Sequence, residues 1–432
     1  MATYGIMISE NNKNRRIVIT ISYEKRVAKR NLTIMWFANF FIAASMTMVL
    51  PFISLYIETF GNFSPEYVQR WSGWIFGVTF ITAFIFSPIW GRFGDRHGRK
   101  KVLIISASGL ALSVLLMGFA TSVAQLFFLR LFMGIFTGFI PMSQAFIAIQ
   151  TPKEIAGRTL GTLQTGSVTG SLIGPLLGGL IADSVGYSAT FKLISISLFL
   201  SALLVWFGIK ELQLNIKTAG EKTNYSSKEV IQHILLHPTL LIVMLLSAVV
   251  QIAHFSIQPI LSLYVAEING AKNIAFWAGL VFSVTGLGNL FFARRWGIFG
   301  DKFGHIRLMV VLLFLSGLFY LPFAFAGSIW QLIVLRFLLG TAIGGIATTR
   351  VAYIRQEAPL AMQGEVLGYN TSLRFLGNVI GPGLGGMVAG AFGFSGVFYM
   401  TSALLILAGF MTMISYMKHE HEGDFSIKSF KS

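Results

Sequence analysis

The sequence contains no cysteine among its 432 residues. Without thiols the chain cannot form disulfides, use a cysteine nucleophile or bind a metal through sulfur. Charged residues are also scarce at 12%, and soluble domains carry roughly twice that fraction. The chain is 54% hydrophobic with 40 phenylalanines, and its mean hydropathy is +0.71. This composition indicates a protein that crosses a membrane many times.

Acidic residues are the scarcer of the two charge types, with 17 Asp and Glu against 33 Lys and Arg. The excess of +16 can mark a nucleic-acid-binding surface. Here the cations cluster in short segments between apolar runs, so we expect no nucleic-acid partner. No nucleophile–base set, metal-ligand cluster or phosphate-binding loop is present, and GRFGDR lacks the spacing of a dinucleotide site. We therefore expect neither enzymatic activity nor a metal or cofactor.

Twelve apolar runs are long enough for a helix to cross a bilayer, which takes about 20 residues. They predict an all-α membrane protein with twelve transmembrane helices. The runs lie near residues 32–58, 70–91, 102–121, 124–149, 158–183, 189–209, 239–266, 275–299, 307–326, 329–354, 363–390 and 395–417.

Basic residues concentrate in the loops on one side of these spans. The positive-inside rule places those loops, and both termini, in the cytoplasm. The sequence then divides into a basic arm at 1–31, a six-helix half at 32–209, a linker at 210–238, a second half at 239–417 and a tail at 418–432. Within the linker, Ser226 and Glu229 match a capping box and predict a short amphipathic helix.

The two halves repeat each other at a nearly constant offset. The segment PFISLY at Pro51–Tyr56 recurs 208 residues later as PILSLY, and GRFGDRHG at Gly91–Gly98 recurs after 206 as GIFGDKFG. LRLFMG at Leu129–Gly134 recurs after 206 residues, and GPLLGG at Gly174–Gly179 after 207. Two pseudo-symmetric six-helix halves are the architecture of alternating-access transporters, with the substrate site between them near the midplane.

The loop Gly91–Lys101 reads GRFGDRHGRKK and carries five Arg and Lys with one Asp. It resembles the signature loop of the major facilitator superfamily. The resemblance implies a conformational gate on the cytoplasmic side, whereas the simpler alternative is a loop that only sets topology. The second half has an altered copy, for which we expect a weaker latch. The gate residues would be Gly91, Asp95, Arg96, Gly98, Arg99, Asp301 and Arg307.

The fifth span reads GTLQTGSVTGSLIGPLLGG from Gly161 to Gly179. Glycines four residues apart form one bare stripe that admits another backbone closely, and a proline adds a kink site. The segment resembles the antiporter motif of drug:proton exchangers, although generic glycine packing is an alternative because Gly377–Gly386 is a looser version. The motif residues are Gly166, Gly170, Gly174, Pro175, Gly178 and Gly179.

From about Asn31 to Lys418 the chain resembles the drug:proton antiporter family of twelve-helix transporters, in the MdtG-like and PmrA-like branch of bacterial multidrug efflux. The resemblance implies a monomer in a bacterial cell membrane that exports small amphipathic compounds in exchange for protons. The proton motive force would replace any cofactor, and rocker-switch motion would carry the substrate. Two alternatives are an exporter or flippase of a lipid or endogenous amphiphile, and a proton-coupled importer of an anionic or sugar solute.

The residue that would carry the coupled proton stays open. Several drug:proton antiporters have an acidic residue inside the first span, and this chain has none there. The resemblance gives Arg130 a part in proton transfer, but Arg336 in the same local sequence favours a structural role. His254 can titrate near neutral pH or serve as a hydrogen-bonding packing residue. The candidates are Asp95, Arg130, Asp183, Glu58, Glu267 and His254.

Polar and aromatic side chains within the spans are the candidates for lining a substrate cavity. Aromatic walls with few polar anchors suit bulky, partly apolar ligands. Arg374 would favour an anionic or zwitterionic substrate, or pair with a carboxylate. The candidates are Trp36, Asn39, Phe40, Phe139, Gln144, Gln164, His254, Gln258, Asn289, Arg350, Asn370 and Arg374.

Overall fold

The computed structural model describes residues 3–151, 155–211, 226–270, 272–359 and 362–429. The side chains of residues 3–25, 95, 156, 227 and 418–429 lie outside that description. The helices are α1 Thr3–Met48, α2 Ile53–Glu58, α3 Pro65–His97, α4 Arg99–Met117, α5 Val123–Ile135, α6 Phe139–Ile149, α7 Ala156–Val185, α8 Tyr187–Gly208, α9 Ser227–Leu236, α10 Pro238–Ser256, α11 Leu261–Asn269, α12 Ile274–Phe303, α13 His305–Tyr320, a 3₁₀ turn Leu321–Phe325, α14 Ile329–Glu357 and α15 Gln363–Ser429.

Helix α15 contains two spans. Its apolar part, Glu365–Met417, is 53 residues long, more than twice what a bilayer crossing needs. Gly393 interrupts it with φ 70° and ψ −177°, a conformation that favours glycine. At the equivalent point of the first half, Gly186 separates α7 from α8 with φ 83°.

Among the described residues, 11 helices are long and apolar enough to cross a membrane. The break at Gly393 divides the one in α15 into two spans and gives the twelve that the sequence predicts. Breaks divide the fourth span into α5 and α6 and the seventh into α10 and α11, while α2 extends the first span beyond α1. The short helix α9 lies between the halves, and its capping box is formed: Glu229 accepts from the Ser226 amide at 3.1 Å, and the Ser226 hydroxyl accepts from the amide of Lys228 at 3.3 Å.

Contacts within the two halves repeat at the offset seen in the sequence. The Trp90 indole donates to the carbonyl of Ile135 at 2.6 Å, and Trp296 donates to that of Thr341 at 2.9 Å. The Arg130 guanidinium lies 5.6 Å from the ring centre of Phe76; its counterpart, Arg336, lies 5.7 Å from that of Phe282. The repeat is therefore preserved in side-chain contacts as well as in sequence.

Each half buries its own apolar core. One core is built almost wholly from α1 to α8, and the other from α9 to α15. Side chains within each core interdigitate, so a half deforms at high cost. This division suits movement of the halves as two rigid bodies.

The repeated tryptophan bonds give a stability prediction. Trp296→Phe removes the indole N–H and leaves a buried carbonyl of α14 with one bond fewer. We expect the free energy of unfolding to fall by about 1 kcal/mol, seen as a lower thermal unfolding midpoint in detergent. Trp90→Phe should do the same. Trp330→Phe is the control, since Trp330 is 65% exposed, and an equal loss there would contradict the assignment.

Candidate functional site

The two halves meet in the part of the bundle away from the Gly91–Lys101 loop. We call the end that carries this loop the basic face, and the other end the opposite face. A Cβ atom at Gly73 on α3 would lie 2.3 Å from the carbonyl oxygen of Pro382 on α15, and one at Gly77 would lie 2.9 Å from that of Val379. Glycine at these positions lets the two backbones touch. We call the space between the two halves the cleft. Helices α3 and α15 thus close one side of the cleft at the opposite face.

Helices α7 and α12 close the other side. A Cβ at Gly179 would lie 2.0 Å from the carbonyl oxygen of Ala275, and one at Gly279 would lie 2.2 Å from that of Pro175. A third contact joins the halves at this end, because the Ser54 hydroxyl donates to the carbonyl of Pro259 at 2.5 Å.

Asp183 links the same two helices by hydrogen bonds. Its carboxylate accepts from the backbone amides of Ala275 at 3.2 Å and Phe276 at 2.7 Å. These amides belong to the first turn of α12, where unpaired N–H groups and the helix dipole favour a negative charge. The N-cap residue of α12, Asn273, makes no side-chain capping bond. A carboxylate of one half therefore caps a helix of the other.

Toward the basic face the same helices separate. A Cβ atom at Gly157, Gly161 or Gly368 would have no neighbour within 4 Å. Between the halves lies a cavity of about 760 Å³ bounded by apolar residues of α3, α9, α10 and α15, among them Phe84 and Leu376. The structure is closed at the opposite face and open at the basic face.

The gate residues of the signature loop bond within their own half. Gly98 turns the chain with φ 94°, and Glu211 accepts from the amide of Arg99 at 2.9 Å. The Arg99 guanidinium donates to the carbonyl of Ala145. Arg96 is exposed and a Cβ at Gly91 would have no neighbour within 4 Å. The predicted role of Asp95 lies outside the described residues, since its side chain is not among them.

Residues of the second copy of the loop also form hydrogen bonds within their own half. Asp301, 77% exposed, accepts from the imidazole Nε2 of His305 at 3.3 Å. Arg307 donates to the hydroxyl of Tyr416 at 3.1 Å and lies over its ring.

The glycine stripe of the antiporter motif packs on α1. Cβ atoms at Gly166, Gly170, Gly174 and Gly178 would lie 2.6, 2.3, 2.5 and 2.0 Å from carbonyl oxygens of α1. In the second half, Gly377, Gly381 and Gly385 face α10 in the same way. The stripe thus belongs to the packing shared by both halves, whereas Gly179 faces the other half. Sequence reasoning grouped the two kinds of glycine together.

In the first half, the predicted cavity residues separate into two groups. Trp36 stacks on Phe40 and its indole donates to Thr165 at 2.9 Å, near a 2.7 Å bond from Gln144 to Gln164. These side chains are at least partly exposed. Asn39 and Phe139 are instead fully buried, and Asn39 accepts from Ser143 at 2.9 Å.

In the second half, most of the polar candidates lie on α10, α14 and α15. His254 and Gln258 share a hydrogen bond of 3.3 Å, and Asn370 is buried and accepts from Ser247. Arg350 is 3% exposed, while Arg374 is exposed. Asn289, on α12, is exposed and lies against Gly344.

The remaining proton-coupling candidates lie at span ends or in cores. Glu58 and Glu267 are exposed near the ends of α2 and α11. Arg130 is buried, and two of its nitrogens have no hydrogen-bond partner; Arg336 has the same environment. The symmetry of these two arginines agrees with a structural role, and the residue that carries the proton stays open.

The chain is similar in sequence to several bacterial proteins over almost its whole length. It is 54% identical over 375 residues to a protein named uncharacterized MFS-type transporter YuxJ from Bacillus subtilis, covering 87% of this chain and 95% of that one. It is 40% identical to the multidrug resistance protein MdtG of Dickeya zeae, covering 90% and 94%, and 38% identical to that of Salmonella typhi, covering 88% and 93%.

Solved structures share the fold at low sequence identity. A bacterial homologue of the human lysosomal transporter Spinster, in an inward-facing and unoccupied conformation, superimposes with a TM-score of 0.74 at 16% identity, covering 91% of this chain and 97% of that one. The nucleoside transporter NupG gives 0.73 at 14%, covering 90% and 99%.

The sequence profile described as Major Facilitator Superfamily matches residues 35–294 and 243–431. Together with the relatives, this match confirms a multi-pass membrane transporter rather than an enzyme. The chain belongs to the Major Facilitator Superfamily.

Proposed function

We propose that this protein exports amphipathic compounds across a bacterial cell membrane in exchange for protons, by alternating access. The observation that supports this proposal is the shape of the cleft. Glycine-mediated contacts between α3 and α15 and between α7 and α12 close it at the opposite face, and it is open at the basic face. With the basic face in the cytoplasm, this state accepts substrate from the inside. The relatives named multidrug resistance proteins support the same direction of transport.

The wall of the cleft suits varied, partly apolar substrates. Trp36 and Phe40 stack near the amide pair of Gln144 and Gln164, so flat apolar surface adjoins a few polar anchors. Such surfaces bind by contact area and tolerate differences in substrate shape. Proteoliposomes with an imposed proton gradient and a pH-sensitive dye test the proposal. Adding a drug should release protons in vesicles that contain the protein and not in empty ones.

Asp95→Asn tests the gate that the family resemblance assigns. We expect drug-driven proton release to fall at least about tenfold, because the loss of a charge-assisted contact costs roughly 1.5–3 kcal/mol. Asp301→Asn is the matched control and should have a smaller effect, since Asp301 is exposed and paired within its own half. Equal effects of both variants, or none, would contradict a special role for Asp95.

A second function is favoured by the apolar cavity of about 760 Å³ between α3, α9, α10 and α15. Its lining suits an acyl chain, so export of a lipid or other endogenous amphiphile is the alternative. Lipid that co-purifies with the protein and is displaced by drugs, without proton flux, would select this alternative. Substrate-driven flux in the uptake direction would reject both forms of export.

A further inference from the structure

The two halves differ in side-chain size and charge at several positions inside the spans. Residues that build the fold repeat, such as Arg130 and Arg336 over their phenylalanines. At the equivalent positions of α10, α14 and α15, polar or cationic residues of the second half replace other residues of the first. The pairs are Met46 and His254, Leu50 and Gln258, Gln144 and Arg350, Ser167 and Arg374, and Ser171 and Asn378. Two of these changes, at Arg350 and Arg374, add a positive charge that the first half lacks at the equivalent positions.

Two guanidinium groups dominate this polar cluster. Arg350 on α14 is 3% exposed, and its Nε has no hydrogen-bond partner. Arg374 on α15 is exposed, and its charge acts on both Arg350 and His254. Arg374 follows Asn370 by one helical turn, and Asn370 accepts a hydrogen bond from Ser247 on α10, so Arg374 lies on the side of α15 that faces α10. The two like charges repel each other, which an anion between them would relieve.

Neither Arg350 nor Arg374 has an ion pair within the part of the chain that the structure describes. All 17 acidic residues of the sequence lie at span ends, in loops or in the terminal segments. A buried, unpaired guanidinium is costly. Arg130 and Arg336 are also buried with unpartnered nitrogens, but they repeat in both halves, whereas Arg350 stands where the first half has Gln144.

Other polar atoms in the cluster also lack partners. The Nδ1 atom of His254, the Oε1 atom of Gln258 and the Oδ1 atom of Asn378 are buried without a hydrogen bond. Asn378 follows Arg374 by one helical turn, so both lie on the same face of α15. These atoms can orient a polar group that the arginines hold by charge.

We propose that Arg350 and Arg374 bind the anionic head group of an amphiphilic substrate, such as a carboxylate, sulfonate or phosphate ester. This deepens the proposed export function by naming a substrate class. The guanidinium fork matches the oxygens of such groups. Arg374 lies on the face of α15 opposite to the residues that line the apolar cavity of about 760 Å³, so that cavity is not part of this site.

A matched pair of fluorescent probes tests the site on the purified full-length protein in phosphatidylcholine nanodiscs. 8-Anilinonaphthalene-1-sulfonate is permanently anionic, and N-phenyl-1-naphthylamine is the same amphiphile without the sulfonate. Arg350→Gln and Arg374→Ser install the residues of the first half, so the fold has a precedent for them. We expect each variant to bind the sulfonate at least about tenfold more weakly, and the neutral probe with unchanged affinity.

Controls separate the charge from other effects. Lys192→Gln removes one positive charge near the opposite face and should leave both affinities unchanged. Arg374→Lys keeps the charge and should retain more sulfonate affinity than Arg374→Ser, provided that thermal unfolding shows both variants folded. Unchanged sulfonate affinity in both arginine variants, or an equal loss for both probes, would overturn the proposal. Competition by inorganic phosphate as strong as by the sulfonate would overturn the assignment to an amphiphile.

The assay also separates this site from the export function. Binding in nanodiscs needs no proton gradient. Sulfonate binding that depends on both arginines, without drug-driven proton release, would retain the anion site and reject antiport. Proton release with unchanged sulfonate affinity in the variants would retain antiport and reject the site.

Discussion

Gly179→Leu is expected to abolish closure of the opposite face and, with it, transport. Even a Cβ at this position would lie 2.0 Å from the carbonyl oxygen of Ala275 on α12, so the halves must move apart. Overpacking of this kind costs about 1–3 kcal/mol or more, which shifts the equilibrium roughly 5- to 150-fold toward the state open at the opposite face. Drug-driven proton release should be lost, because the cycle needs both closed states.

The absence of cysteine makes the conformational measurement direct. Asn62→Cys and Phe392→Cys place two spin labels on exposed residues at the opposite face, one in each half. Double electron–electron resonance should give a longer distance in the Gly179→Leu background than in the parent pair. An unchanged distance distribution in a folded variant would contradict the role assigned to Gly179.

Gly178→Leu is the matched control on the neighbouring residue. A Cβ there would also lie 2.0 Å from a carbonyl oxygen, but that oxygen belongs to Met48 on α1 of the same half. The clash therefore acts on the packing of one rigid body. We expect a lower thermal unfolding midpoint and poorer yield, with the label distance unchanged in the protein that folds.

This pair of glycines shows where prediction from the sequence ends. The repeat offset predicted two equivalent halves, and the paired contacts of Trp90 and Trp296 confirm it. Neighbouring residues of a helix differ by only about 100° in direction, and in a span rich in glycine no apolar stripe separates the faces. Which glycine meets its own half and which meets the other depends on how the rigid bodies dock. That docking differs between conformational states of one sequence.

The cavity residues illustrate a second limit. Asn39 and Arg350 look alike in sequence, since each is a polar residue inside a span. Both are buried, and each has a nitrogen without a hydrogen-bond partner, the Nδ2 atom of Asn39 and the Nε atom of Arg350, so their contacts do not separate them either. Comparison of the two halves does separate functional candidates from structural residues. Arg350 differs from its counterpart Gln144, whereas Arg336 and its counterpart Arg130 are the same residue type.

Asp183→Asn is expected to weaken closure of the opposite face without a steric change. The carboxylate accepts two backbone amides at the start of α12, which its own N-cap residue leaves uncapped. Hydrogen bonds to a charged group contribute roughly 1.5–3 kcal/mol, so we expect about a 10- to 150-fold shift toward the open opposite face. The same spin-label pair measures it, with Ser184→Ala as control, since Ser184 bonds within its own helix.

The signature loop offers the converse test. Asp95 lies near the end of α3 at the basic face, and α15 begins close to that face at Gln363. If Asp95 caps α15 when the basic face closes, Asp95→Asn should weaken that closure and favour the state that is closed at the opposite face. Asp183→Asn should have the reverse effect, because it weakens closure of the opposite face. For distant sites the two free energies add, so the double variant should return the spin-label distances toward those of the wild type. A double variant no closer to the wild type than Asp183→Asn alone would show that Asp95 does not stabilise the alternate state, and would leave Asp183 as the carboxylate that sets the balance.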